Sequence, residues 1–144
     1  INVNGQPKVI EYNVRMGDPE TEVVIPRIKS DLLHLLKGIN EGTFSEKDLD
    51  ITDEVAATVM LVSGGYPETY EKGKVIKGLE TIENSIVFHA GTKDEETIKT
   101  DGGRVVALTS FGESIKDALE KSFESAEKIS FDGKYYRKDI GFDL

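Results

Sequence analysis

Glu11-Tyr12-Asn13 is the part of this sequence best suited to chemistry. In an extended chain successive side chains point to opposite faces. Glu11 and Asn13 therefore project together, roughly 6 to 7 Å apart, with Tyr12 and Val14 turned the other way. A carboxylate and an amide carbonyl on one face are hard oxygen ligands. They suit Mg²⁺ (or Mn²⁺), which takes few protein ligands and fills its octahedron with water and nucleotide phosphates. Polar alternation is also how a half-exposed antiparallel strand looks, so the spacing alone leaves both readings open.

Immediately downstream, Arg15-Met16-Gly17-Asp18-Pro19-Glu20-Thr21-Glu22 brings a guanidinium, a flexible glycine and a helix start next to those ligands. Arginine clamps a carboxylate or phosphate through two parallel hydrogen bonds, and the N–H groups of a helix start favour an anion. Asp18 reads as the N-cap and Pro19 as the first helical residue, a position where the missing N–H costs nothing. Asp18 and Glu20 complement a helix dipole, so capping is a simpler role for Asp18 than substrate contact.

Other chemistry-bearing residues have plainer readings. His89 follows an apolar strand and reads as a hydrogen-bonded structural histidine, although its ordinary pKa also suits a proton carrier. His34 lies among Leu32, Leu33, Leu35 and Leu36 with no partner at ligand spacing, and reads as a partly exposed helix residue. Gly64-Gly65 and Gly102-Gly103 lack the Gly-x-x-x-x-Gly-Lys-Ser/Thr pattern of a phosphate loop and read as tight turns. Arg137 and Asp139 read as pairing with neighbouring strands.

These groups need elements to position them. Ile1-Asn2-Val3, the turn Asn4-Gly5 and Lys8 to Val14 predict a hairpin, because Asn-Gly supplies the positive φ angles of a tight primed turn. Pro7 removes one donor near the start of the second strand without forbidding it. Val24, Ile28, Leu32, Leu35 and Ile39 recur at helical spacing and predict one apolar face. Pro26 kinks or splits that stretch, and Lys37-Gly38 and Glu41-Gly42 end it. The polar, turn-rich residues 41–54 read as a junction between two units.

Beyond the junction, Val55 to Val62, Ile86 to His89 and Val105 to Thr109 read as strands. About Glu113 to Lys128 reads as a helix with Ile115, Ala118, Leu119, Ser122, Phe123 and Ala126 on one side. Ile129 to Phe131, the Asp132-Gly133 turn and the segment Tyr135 to Gly141 follow it. Several strands with one late helix favour an α+β fold with an antiparallel sheet over a βαβ array.

A chain of 144 residues suits one ordinary domain, or a small domain with part of a neighbour. Its 38% hydrophobic and 31% charged residues are typical of a globular protein. The net charge of −9, from 18 basic and 27 acidic residues, argues against a nucleic-acid partner. No apolar run approaches the ~20 residues that span a bilayer, and no basic and then apolar leader opens the sequence, so a cytoplasmic protein without a membrane partner is expected. The absence of Cys excludes disulfides, thiolate metal sites and a cysteine nucleophile. Ile1, set within an alternating pattern, reads as a start partway through a larger protein.

The run Val9-Ile10-Glu11-Tyr12-Asn13-Val14-Arg15-Met16-Gly17-Asp18-Pro19-Glu20-Thr21-Glu22-Val23 resembles the signature of the phosphoribosylamine-glycine ligases, or glycinamide ribonucleotide synthetases, through its Arg-x-Gly-Asp-Pro-Glu-x-Glu core. Pro26 to Leu32, Ser63 to Pro67, Phe88 to Thr92, Gly102 to Val105 and Tyr136 to Gly141 resemble further blocks of that family in the same order. The likeness covers nearly the whole chain. It implies that residues 1–50 are the C-terminal part of an ATP-grasp domain, a hairpin plus helix, and that residues 51–144 are the small C-terminal domain, an antiparallel sheet with one long helix.

The resemblance also implies an activity. ATP would drive ligation of glycine to 5-phosphoribosylamine through a glycyl phosphate, giving glycinamide ribonucleotide, ADP and phosphate in purine biosynthesis. In ATP-grasp enzymes the Glu-x-Asn pair holds the catalytic magnesium, which makes Glu11 and Asn13 the metal and nucleotide ligands. Arg15 would orient the glycine carboxylate or steady the acyl phosphate. The lysines and glycine-rich loop of the nucleotide pocket come from earlier sequence in that family, so the missing N-terminal domains are the expected partners and the chain alone is expected to be inactive. Two rivals stand beside this reading. One is another purine-pathway ATP-grasp ligase, against which the Gly-Asp-Pro-Glu block argues. The other is a non-catalytic interaction module whose acidic surface and sheet edge bind a partner.

Overall fold

The computed structural model describes residues 1–142, the side chain of Lys47 excepted. In chain order the elements are β1 (Asn2–Val3), β2 (Gln6–Pro7), α1 (Glu20–Val24), α2 (Leu32–Glu41), β3 (Val55–Val62), β4 (Ile86–His89), β5 (Thr92–Asp94), β6 (Ile98–Thr100), β7 (Arg104–Gly112) and α3 (Ile115–Lys128). Short 3-10 turns lie at Ile25–Arg27, Glu46–Asp48 and Leu79–Thr81. The fold is α+β with small antiparallel sheets and a late helix, as the element pattern predicts.

β7 is the middle strand of a sheet ordered β3-β7-β4, and both pairings are antiparallel. Its residues Val105 to Leu108 are wholly buried, and so are Val59 and Leu61 of β3. Near-continuous burial marks a strand covered on both faces. On one face lies α3, whose Ala118, Leu119, Ser122, Ser125 and Ala126 are buried. Small residues at the contact let the helix approach closely, and Ser122 Oγ reaches the Ala57 carbonyl at 3.1 Å and Ser110 Oγ at 2.9 Å. The other face receives α1, where Thr109 Oγ1 donates to the Glu22 carbonyl at 2.9 Å.

One irregularity matters for the site. The β3–β7 register runs from Val55↔Gly112 to Leu61↔Val106 and then passes to Val62↔Arg104, which leaves Val105 as the extra residue of a bulge. Simple alternation would turn Arg104 to the α3 face with Val106 and Leu108. The bulge puts it opposite Val62, on the face that α1 covers.

α3 begins at Ile115, two residues after the expected Glu113, because Ser114 is the N-cap and its side chain accepts from the Asp117 N–H. At the other end Lys134 donates from Nζ to the carbonyls of Ala126 at 2.7 Å and Ile129 at 2.6 Å, closing the helix with a cation. The segment 129–136 then returns along the sheet through bridges Lys77↔Ser130 and Val62↔Tyr135.

The first fifty residues depart from expectation in three ways. The Asn4-Gly5 turn forms, with φ of 53° and 82°, but its ladder ends at Asn2↔Pro7 and the flanking backbone bonds between Ile1 and Lys8. The strand expected over Lys8 to Val14 is absent, since no strand among the described residues runs beside it to take its hydrogen bonds. Val9, Ile10, Tyr12 and Val14 are accordingly 67%, 74%, 83% and 95% exposed.

Second, Asp18 is not the N-cap. Pro19 holds that position without a side-chain cap, and α1 has only five residues, too short for the expected anion-friendly helix start. Third, Val24, Ile28, Leu32, Leu35 and Ile39 do not share one helical face. Pro26 falls in the 3-10 turn that separates α1 from α2, and of the five only Leu35 is buried. α2 is a separate helix with its own N-cap, Asp31, accepting from the His34 N–H at 2.9 Å, and ends at left-handed Gly42.

The polar stretch 41–54 folds back on what precedes it. Ser30 Oγ donates to the Asp48 carbonyl at 2.6 Å, and Lys29 and Thr52 N–H groups bond Asp50 and Arg27 carbonyls at 2.8 and 2.9 Å.

Candidate functional site

Glu11, Asn13 and Arg15 are all exposed on the open segment between the hairpin and α1. Arg15 Nη1 donates to Asn13 Oδ1 at 2.9 Å, so the structure brings these two together. The Glu11 carboxylate makes no hydrogen bond among the described residues. Glu11 is not part of a half-exposed sheet strand, since no strand among the described residues includes it.

The donor chemistry fits a hard cation. A free carboxylate and an amide oxygen with a second lone pair to offer are what Mg²⁺ takes from a protein, with the rest of its shell left to water and phosphate. No cluster of three or more His, Cys, Asp or Glu side chains suited to a metal occurs among the described residues.

Downstream, the Gly17 carbonyl accepts from the Thr21 N–H at 2.9 Å and from Thr21 Oγ1 at 2.7 Å, which closes the first turn into α1. Asp18 turns away from the helix to Arg104. Arg104 Nη1 donates to the Asp18 carbonyl at 2.6 Å, and Nη2 lies 3.4 Å from the Asp18 carboxylate. The motif pattern contains no hint of this contact, which joins residues 86 apart.

The surroundings of Arg104 are built from glycine-rich turns. Ser63 donates to the carbonyls of Gly103 and Gly102, each at 2.8 Å. A side chain at Gly103 would meet the Tyr66 and Tyr70 rings, and the Gly91 and Gly102 backbones pass too close for a Cβ between them. These turns pack strand ends tightly, which bears out the reading of both Gly-Gly pairs as turns. An apolar cavity of about 280 Å³ opens beside them, lined by Pro19, Met60, Val62, Tyr66, Arg104 and Tyr136 among others.

The remaining candidates are structural. His89 Nδ1 is 3.0 Å from Thr92 Oγ1. Arg137 pairs with Asp139, two positions along the chain, through two parallel hydrogen bonds of 2.9 Å, where pairing with neighbouring strands was expected. That guanidinium holds the Asp139 carboxyl below its ordinary value. No helix among the described residues is long and apolar enough to cross a membrane.

Comparison with known proteins agrees with the signature. The model of the phosphoribosylglycinamide synthetase C domain matches residues 56–143. The phosphoribosylamine–glycine ligase of Halalkalibacterium halodurans is 45% identical over 137 residues, which cover 94% of this chain and 32% of that protein. A bifunctional purine biosynthetic protein of Pichia angusta is 44% identical over 143 residues, 97% of this chain and 18% of that one. A crystal structure of the phosphoribosylamine–glycine ligase from Thermotoga maritima matches with a TM-score of 0.82 at 35% identity, over 96% of this chain and 34% of that one. The chain therefore spans about a third of the length of these ligases. By a match that runs from β3 through α3 and onward to residue 143, the chain belongs to the phosphoribosylglycinamide synthetase C-domain family.

Proposed function

We propose that this chain works as the C-terminal third of an ATP-dependent ligase that joins glycine to 5-phosphoribosylamine in purine biosynthesis. A glycine carboxylate oxygen attacks the terminal phosphorus of ATP and releases ADP. The amine of phosphoribosylamine then attacks the acyl carbon of glycyl phosphate and expels phosphate, leaving glycinamide ribonucleotide. In this reading residues 1–50 complete an ATP-grasp domain and residues 51–144 pack against it. The small charged substrates accord with a cytoplasmic setting.

One observation carries the proposal. The oxygen ligands of Glu11 and Asn13 lie exposed on an unpaired segment, with Arg15 alongside and the Gly-Asp-Pro-Glu block just beyond. Glu11 and Asn13 would hold Mg²⁺ or Mn²⁺, which neutralises and aligns phosphate oxygens during phosphoryl transfer. Arg15 supplies a guanidinium for the glycine carboxylate or the acyl phosphate. Nucleotide-pocket lysines and a glycine-rich loop come from the rest of the enzyme.

The test is a coupled ADP-release assay on the full-length protein with glycine and phosphoribosylamine, comparing the unaltered enzyme with Glu11→Ala. The variant is expected to lose at least ~100-fold in turnover, more than outer-shell changes typically cost. Full turnover by Glu11→Ala, or substantial ligation by the 144-residue chain alone, contradicts the reading.

A further inference from the structure

We propose that Arg104 is a positioning residue for the ligase reaction, reaching from the C-terminal sheet to fix the segment that carries Asn13 and Arg15. This inference rests on the function proposed above.

The geometry of β7 supplies the first argument. Arg104 faces Asp18 because Val105 is left out of the ladder as a bulge, and bulges characteristically re-aim side chains in this way. Its backbone is fixed on the N-terminal side by the Gly102 and Gly103 carbonyls bonded to buried Ser63, and on the C-terminal side by wholly buried Val105 and Val106. The guanidinium thus stands on a strand end whose neighbours are hydrogen-bonded on one side and wholly buried on the other.

What it touches supplies the second. Residues 9 to 16 are exposed, and within the segment the bonds are local, Arg15 to Asn13 and Thr21 to Gly17. Among the described residues, the polar link from residues 9–19 to the sheet runs through Arg104, to both the carbonyl and the carboxylate of Asp18. Asp18 lies three residues from Arg15. A displacement on the order of 1 Å at reacting groups can cost ~100-fold in rate, so a tie that adds little stability still governs turnover.

Lysine cannot replace this contact in full. Arginine's planar fork engages the carbonyl and the carboxylate together, whereas an ammonium offers a point charge on a flexible stem. The neutral Met variant removes both contacts while keeping a similar stem.

The test compares Arg104→Met, Arg104→Lys and Glu11→Ala in the full-length ligase, by steady-state kinetics and amide hydrogen exchange. Arg104→Met is expected to lower kcat by roughly 10- to 100-fold with the KM for glycine changed less than about 3-fold, and Arg104→Lys to fall between it and the unaltered enzyme. Exchange should quicken by about 10-fold or more at Thr21, whose N–H bonds the Gly17 carbonyl next to Asp18, while Leu61, Val106 and Leu108 keep their protection. Unchanged kcat, unchanged exchange at Thr21, or loss of protection throughout the sheet in both Arg104 variants overturns the positioning role. Failure of the underlying reading looks different: Glu11→Ala would turn over normally, whatever the Arg104 variants do.

Discussion

Arg15 Nη1 donates to Asn13 Oδ1 at 2.9 Å, so the amide oxygen proposed as a cation ligand already has a guanidinium beside it. A carbonyl oxygen has two lone pairs and can accept this bond while ligating. The proposed roles of the two residues are therefore coupled.

Arg15→Ala in the full-length ligase is expected to lower kcat/KM for glycine by about 100-fold, since a charge-assisted clamp on an anion is lost. Combined with Asn13→Ala the losses should fail to add, by more than ~0.5 kcal/mol in the free energy of activation. Initial rates of ADP release at varied glycine measure both. Unaltered turnover of Arg15→Ala at every glycine concentration would remove Arg15 from the site.

Lys134→Met should destabilise the chain by about 2 kcal/mol, because the Ala126 and Ile129 carbonyls lose a charged donor. Urea denaturation followed by circular dichroism reads this directly. A change within ~0.5 kcal/mol would show that water replaces the ammonium without loss.

The β5–β6 hairpin should respond to acid through Glu95. Its carboxylate lies 2.6 Å from Lys93 and 2.8 Å from Lys99, and hydrogen bonds first from Lys93 and then from Lys99 draw its pKa down to about 2, from the ordinary 4.5. The folded value is below the unfolded one, so the contribution is complete above about 4.5 and drains away as pH falls toward about 2. Glu95→Gln should flatten the acid limb of hairpin protection in that window, as read by hydrogen exchange at residues 92–100. An identical acid limb in the variant argues against the contribution.

Leu108→Ala should cost about 3 kcal/mol, because the side chain is wholly buried at the middle of the central strand. Leu33, 76% exposed on α2, should tolerate the same change within about 0.5 kcal/mol. Equal midpoint shifts in urea for the two variants would contradict the assignment of the core.

What could be read from the residues alone depended on how local its cause was. β3 and β4 fall where expected, Val55–Val62 and Ile86–His89, because β-branched and apolar residues between turn signals make a strand locally recognisable. The late helix was equally plain. β5 and β6 leave little mark on the sequence because Thr92-Lys93-Asp94 and Ile98-Lys99-Thr100 are short and mostly polar, without an apolar run between turn signals.

Residues 8–14 had the alternation of a strand without a neighbour to complete it. Asp18-Pro19 had the look of a helix start, but a distant arginine competes for the aspartate. The candidate ligands were legible as residue types and spacing. Their surroundings were not, because Arg104 is brought to them by a bulge that leaves no mark on the hydrophobic pattern.

That bulge also decides what a change of length in β7 would do. With Val105 deleted, Arg104 would directly precede Val106, the ladder with β3 would close into regular alternation, and the guanidinium would stay opposite Val62 on the face of α1. The loss would fall on the core, where Val105 is wholly buried, so shortening the strand there would cost packing rather than the aim of the arginine.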